Sequence, residues 1–289
     1  MAEVERDSVT GTPTTGHEWD GIKELDTPMP RWWLLTFYAT IVFALVYTIL
    51  YPAWPLLHSY TRGILGYSSH ADYFKGADAA AAAQKQYVDR IAVASVDQIT
   101  ADPQLLEFAM AGGKAVFSEN CSQCHGAGGQ GQRGYPILAD DNWLWGGKLS
   151  DIETTIRHGI RSPTDQATRV SDMPRFGADG LLQPGQITDV ADYVLSLSEG
   201  AANPTALKNG SELFAQNCAS CHGDKGQGNV EVGAPALNDQ IWQFGGTRAD
   251  IIAQITKPHQ GVMPAWQGRL SDVQIKMVTT YVHSLSGGQ

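Results

Sequence analysis

All four cysteines of the chain fall in two copies of one pentapeptide, Cys121-Ser122-Gln123-Cys124-His125 and Cys218-Ala219-Ser220-Cys221-His222. The C-x-x-C-H spacing is the attachment signature of c-type haem, in which both thiols bond the porphyrin and the histidine takes an axial iron position. No cysteine is left over for a structural disulfide. A zinc site would want a second ligand pair at knuckle spacing beside each motif, and a thioredoxin-like dithiol would want a βαβ context. Neither is present around these motifs. Cys121, Cys124, Cys218 and Cys221 therefore read as the covalent anchors of two haem c groups, with His125 and His222 as axial ligands.

The occupant of the sixth iron position separates an electron carrier from a catalyst. Met173 in Asp172-Met173-Pro174 and Met263 in Val262-Met263-Pro264 lie 48 residues after His125 and 41 after His222. A thioether is a soft ligand that raises the reduction potential, and the following proline stiffens the loop that presents it. Met110 and Met277 fall within helical patterns and read as core residues. His158 and His259 compete for the same positions; bis-histidine ligation would lower the potentials, but both read as surface or supporting residues, and His17 and His283 as solvated and structural. With both axial positions filled by protein, electron transfer is the expected function. No Ser/His/Asp constellation, P-loop or dinucleotide fingerprint argues for another chemistry.

The elements that must position these residues repeat. Residues 112–126, GGKAVFSENCSQCHG, align with residues 209–223, NGSELFAQNCASCHG, at an offset of 97, matching Gly113 with Gly210 and Phe117 with Phe214. Further on, 142–147 (NWLWGG) answers 240–246 (QIWQFGG), and 190–198 (VADYVLSLS) answers 278–286 (VTTYVHSLS). Each repeat of about 90 residues holds one motif, and a core of that size is marginal without a cofactor to supplement it. Helix signals recur at matching places. Ser150-Asp-Ile-Glu153 reads as a capping box for a helix closed by Gly159, and Thr247-Arg-Ala-Asp250 and Ser271-Asp-Val-Gln274 as two more. Ile275, Val278, Val282 and Leu285 mark one face of the last helix, and Ile187, Val190, Val194 and Leu197 its counterpart. The expected fold is all-α: a single N-terminal transmembrane helix followed by two tandem cytochrome c domains, 109–199 and 203–289.

A length of 289 residues allows about two domains. The net charge of −10 argues against nucleic acid. The first repeat, with seven basic and eleven acidic side chains, is the acidic one, suited to a basic partner protein or simply to solubility. Residues 1–31 are polar and read as a mostly flexible arm. Residues 32–51 run for 20 positions without a charge, which matches the bilayer core. Trp32, Trp33, Tyr51 and Trp54 flank the run like an aromatic belt. It lacks the compact basic region and the cleavage site of a signal peptide, so it reads as an uncleaved anchor in the lipid bilayer. Residues 52–108 read as a tether, with an Ala-rich helix over 77–94 whose Tyr87, Ile91 and Ala94 form a narrow apolar face. That face suits docking on the haem domains or a partner, or belongs to a solvated spacer. Asp102-Pro103 marks a turn into the next helix.

The arm HEWDGIKELDTPMPRWW (17–33), the sequence YPAWP after the span, and Thr61-Arg62-Gly63-Ile64-Leu65-Gly66-Tyr67 resemble the CcoP/FixP family, the dihaem subunit of cbb3-type cytochrome c oxidase. The resemblance covers essentially the whole chain. It implies a bacterial inner-membrane subunit with residues 1–31 cytoplasmic and everything after Tyr51, including the tether, periplasmic, where covalent haem is attached. It also implies electrons received from a donor cytochrome c or bc complex and passed, through a monohaem c subunit, to the O₂-reducing haem–copper subunit of a proton-translocating complex. Carried over by position, Met173 and Met263 are the sixth ligands, either within their own repeats or exchanged, Met263 reaching the first haem and Met173 the second. An anchored cytochrome of another respiratory complex, a dihaem peroxidase and a haem-based sensor are the alternatives.

Overall fold

The computed structural model describes residues 4–199 and 204–285; the junction at 200–203 and the end of the second repeat at Ser286 lie outside that range. The chain forms two units, divided after Ala83.

In the first unit the arm departs from the flexible segment expected of it. It holds an antiparallel hairpin of β1 (Thr14–Trp19) and β2 (Ile22–Leu25), with Trp19 opposite Ile22 and Glu18 opposite Lys23. Its two-residue turn is Asp20-Gly21, with φ of 51° and 84°. A tight hairpin loop needs that left-handed pair, and Asp-Gly supplies it. The polar composition outweighed this local signal in the sequence reading. The Trp19 indole donates to Glu24 Oε1 at 3.1 Å, and Lys23 pairs with Glu5.

Helix α1 (Arg31–Leu50) follows Pro30 and has no buried residue and a mean hydropathy of 2.0. Its 20 residues span about 30 Å at 1.5 Å each, so it is long and apolar enough to cross a membrane. Tyr51, before Pro52, turns extended and ends it. The segment Thr61–Tyr67 then folds back on this end: Ile64 and Leu65 donate their N–H groups to the carbonyls of Ile49 and Leu50, at 3.0 and 3.1 Å. Two of the carbonyls that a helix leaves orphaned at its C-terminus are satisfied in this way.

Helix α2 (Ser69–Val93) leads into the second unit, which contains α3 (Val96–Ala101), α4 (Pro103–Asn120), α5 (Ser122–His125), α6 (Leu149–His158), α7 (Pro184–Glu199), α8 (Pro204–Asn217), α9 (Ala219–His222), α10 (Arg248–Thr256) and α11 (Asp272–His283). Thr247 with Asp250 and Ser271 with Gln274 form the expected capping boxes. Asp102 accepts from the N–H groups of Gln104 and Leu105, with Pro103 in the first turn of α4. The box expected at Ser150 is absent. Helix α6 begins at Leu149 behind Lys148, which stands where the second repeat has Thr247 and has no side-chain cap, while Gly159 ends the helix as expected.

The helices pack across the repeats rather than within them. One core joins Val116 and Phe117 of α4 and Ile152 and Ile156 of α6 to Ile275, Val278 and Val282 of α11, which belongs to the other repeat. A second joins Phe214 of α8 and Ile251 and Ile255 of α10 to Ile187, Val190 and Val194 of α7. Both crossings depend on a glycine. A Cβ on Gly113 would lie 2.2 Å from the Met277 carbonyl oxygen, and one on Gly210 would lie 2.1 Å from that of Asp189. Phe117 meets Tyr281 with ring centroids 5.4 Å apart, and Phe214 meets Tyr193 at 5.3 Å. The result is two similar helical bodies, each finished by the last helix of the opposite repeat.

The end of the tether joins the first of these bodies. Ile91 is buried with Ile99, Leu105, Ala109 and Met277, Tyr87 stacks on Phe108 at 4.9 Å, and Ala94 packs alongside. Of the roles expected for that narrow face, docking on the helices that follow is the one adopted. Lys276 of α11 donates to the carbonyls of Ile91, Ala92 and Ala94, closing the C-terminus of α2 with a cation.

Candidate haem-binding cavity

Each pentapeptide lies on a short helix that follows directly from a long one. The N–H groups of Cys124 and His125 bond the Cys121 carbonyl, and those of Cys221 and His222 bond Cys218 in the same way. This turn brings both thiols and the ring to one place. His125 donates Nδ1–H to the Pro136 carbonyl at 3.0 Å and His222 to the Pro235 carbonyl at 2.9 Å. A carbonyl can only accept, so the proton sits on Nδ1 and the Nε2 lone pair is free, the usual way a protein prepares a metal-binding imidazole. Burial moves both rings below the ordinary histidine range, which keeps them neutral. Burial likewise pushes the Cys121 and Cys218 thiols up to about 11. The four cysteines are free of disulfides.

A cavity of about 830 Å³ runs between the motifs. Cys124, His125, Cys218, Cys221 and His222 all line it, together with Met173 and Met263. The methionines are crossed. Met263 packs against the core of Phe117, as do Cys121 and Trp143, and Met173 against the core of Phe214 and Cys218. The Met263 loop is held by reciprocal backbone bonds, Ile160 N–H to the Met263 carbonyl and Met263 N–H to the Ile160 carbonyl, both 3.0 Å. The Met173 carbonyl accepts instead from the Gln260 side chain at 3.2 Å.

The cavity suits a large planar apolar group with polar edges. Trp143 lines the cavity and its Nε1 is buried without a hydrogen-bond partner, a donor that a bound group would satisfy. Free thiols, aprotic Nε2 atoms and thioether sulfurs on one cavity are the donor set of a covalently held iron porphyrin. His158 takes no part; its Nδ1 bonds Asp165 Oδ2 at 3.0 Å. His259 lines the cavity but is exposed and stacks on Phe244. Sequence reasoning assigned no role to Trp143, Gln260 or Arg161, which also lines the cavity. Trp143 alone carried a signal, its match with Trp242 four residues before the second glycine of the repeated Gly-Gly pair. Among the described residues no cluster of His, Cys, Asp or Glu is arranged to hold a bare metal ion.

A tandem pair of C-x-x-C-H helical bodies around a shared cavity defines a dihaem c-type cytochrome. Comparison with known proteins takes the assignment further. Residues 11–58 match the N-terminal domain of cytochrome oxidase-cbb3, FixP; residues 110–198 match cytochrome c; and residues 205–282 match cytochrome c oxidase, cbb3-type, subunit III. The cbb3-type cytochrome c oxidase subunit CcoP of Cereibacter sphaeroides is 50% identical over 277 residues, covering 96% of each chain. Subunit FixP of Sinorhizobium medicae is 50% identical over 98% of this chain and 97% of its own. Subunit CcoP of Azospirillum brasilense is 49% identical over the full length of both. The chain belongs to the CcoP/FixP family, and it carries two covalently bound haem c groups for electron transfer.

Proposed function

We propose that this chain is the membrane-anchored electron-entry subunit of a cbb3-type cytochrome c oxidase. In this reading Cys121 and Cys124 hold the first haem, Cys218 and Cys221 the second, and residues 109–199 and 203–289 each contribute one attachment motif. His125 and Met263 ligate the first iron, and His222 and Met173 the second. Each haem supplies a one-electron Fe(III)/Fe(II) couple. His125, His222, Met173 and Met263 would hold the two irons, and the walls of the shared cavity would exclude water from them. The crossed packing, Met263 against the core that Cys121 also packs on and Met173 against the core that contains Cys218, is the observation that carries the ligand assignment. A chain with Cys218→Ala and Cys221→Ala retains only the first haem, so the ligand can be tested on one iron. Met263→Leu in that background is expected to abolish the near-infrared sulfur-to-iron charge-transfer band, and Met173→Leu to leave it. The reverse result identifies ligation within each repeat.

Helix α1 anchors the chain with residues 1–31 on the cytoplasmic side and the tether and haem bodies in the periplasm. That is where covalent haem is attached in bacteria, and reporter fusions on either side of α1 test it. The electron donor is a soluble cytochrome c or a bc complex, and the acceptor is the monohaem c subunit, which leads to the haem–copper subunit where O₂ is reduced. Purification in mild detergent is expected to bring both oxidase subunits with the chain. A chain that purifies without a haem–copper subunit would instead belong to another respiratory complex.

A further inference from the structure

Arg161 has no counterpart in the usual helical logic of this fold. It follows the α6 cap at Gly159, and its φ of 52° is left-handed, a conformation uncommon for any residue but glycine. Its side chain lies in the cavity wall between the two methionine loops. Nε–H donates to the Gly261 carbonyl and an Nη1–H donates to the Ser171 carbonyl, both at 2.8 Å. Gly261 stands two residues before Met263, and Ser171 two residues before Met173. One planar guanidinium therefore holds equivalent points on both loops, which belong to different repeats. Among the described residues it makes no ion pair; Asp172 acts on it only through space, and burial moves it below the ordinary arginine range. A half-buried cation without a partner carboxylate, on the wall of a cavity that receives anionic porphyrins, is placed to act on them as well.

We propose that Arg161 is a positioning residue shared by both iron sites, its forked guanidinium fastening the Met173 loop to the Met263 loop so that one side chain sets the reach of both sulfurs. This rests on the proposed ligation by the two methionines. It makes the two haems mechanically dependent on each other, although they are attached 97 residues apart. The charge of Arg161 also favours the reduced, less positive form of each haem, so its loss lowers both potentials.

The test uses the full chain, purified in detergent with its haems attached. Arg161→Gln is expected to weaken the sulfur-to-iron charge-transfer bands of both haems and to lower both midpoint potentials in a spectroelectrochemical titration, with haem content unchanged. Arg161→Lys keeps the charge but replaces the fork with a single ammonium. It is expected to weaken both bands while lowering both potentials less than Arg161→Gln does, since the charge stays and only the thioether ligation is loosened. Bands that change at one haem only, or at neither, overturn the proposal, and where Arg161→Gln does not load haem, unaltered bands in Arg161→Lys do the same. Met173→Leu and Met263→Leu serve as controls, each expected to remove one band. If they remove none, the ligand reading fails and this proposal with it; if they behave as expected and Arg161→Gln does not, only the proposal fails.

Discussion

The body built on α4 and α11 and the body built on α7 and α8 share a plan down to single contacts. Each has a glycine at the helix crossing, a phenylalanine against a tyrosine, and a histidine bonded to a proline carbonyl. Their bracing differs. The first has the tether packed against α4 and α11, a half-buried Trp143 whose buried Nε1 has no partner, and a methionine loop held by two backbone bonds. Among the described residues no part of the tether packs on the second core, and its methionine carbonyl is held by one glutamine side chain. Two copies of one module have thus diverged in how firmly the surrounding chain supports them.

Mutations can test where the plan is shared and where it is not. The largest effect is expected from Phe117→Ala and Phe214→Ala, each removing a fully buried ring at about 3–5 kcal/mol. Thermal unfolding followed by circular dichroism should show similar losses for the two, and a marked inequality would contradict the common plan. Ile91→Ala comes next, at about 2–5 kcal/mol, because this side chain of the tether is wholly buried among Ile99, Leu105, Ala109 and Met277. Its loss should perturb the absorption of the first haem and spare the second. Lys276→Met removes the cation that closes α2, at about 1.5–3 kcal/mol, and should raise amide hydrogen exchange over residues 87–95 before anywhere else. The smallest effect belongs to Arg133→Ala. Its bond to Asp250, in the first turn of α10, joins the two repeats at 2.7 Å, but Arg133 is largely exposed. A loss of about 0.2–1 kcal/mol is expected, screened away by salt; a larger loss would mean that this contact helps to hold the two bodies together.

Much of this organisation can be read from residue types alone. The attachment motifs, the repeat, the apolar span, and the capping boxes at Thr247 and Ser271 each depend on a local spacing, and local spacing is what a sequence displays. The exchange of the last helices could not be read, for a physical reason. Val190 and Tyr193 of α7 match Val278 and Tyr281 of α11, so either helix offers the same apolar face to either partner. The repeat that revealed the architecture concealed its connectivity. Arg161 was silent for a different reason: its partners are two backbone carbonyls, one of them 100 residues away, and a carbonyl leaves no trace in composition. The Asp20-Gly21 turn is a local hairpin signal set in a segment whose polar composition points the other way. At Ser150 the capping pattern lay two residues inside the helix that begins behind Lys148.

The crossed arrangement of α7 and α11 also orders events in time. As the chain emerges from its N-terminus, the first attachment motif appears well before the second. Yet the helix that completes its body is the last one made, more than 140 residues later. The body around the second motif lacks only α8 to α10, since α7 has already been made. Contacts this remote close slowly, because the loop entropy must be overcome before any burial offsets it. The first motif to appear is therefore the last to be enclosed, and a chain cut short after α10 would lose the surroundings of the first haem while keeping those of the second.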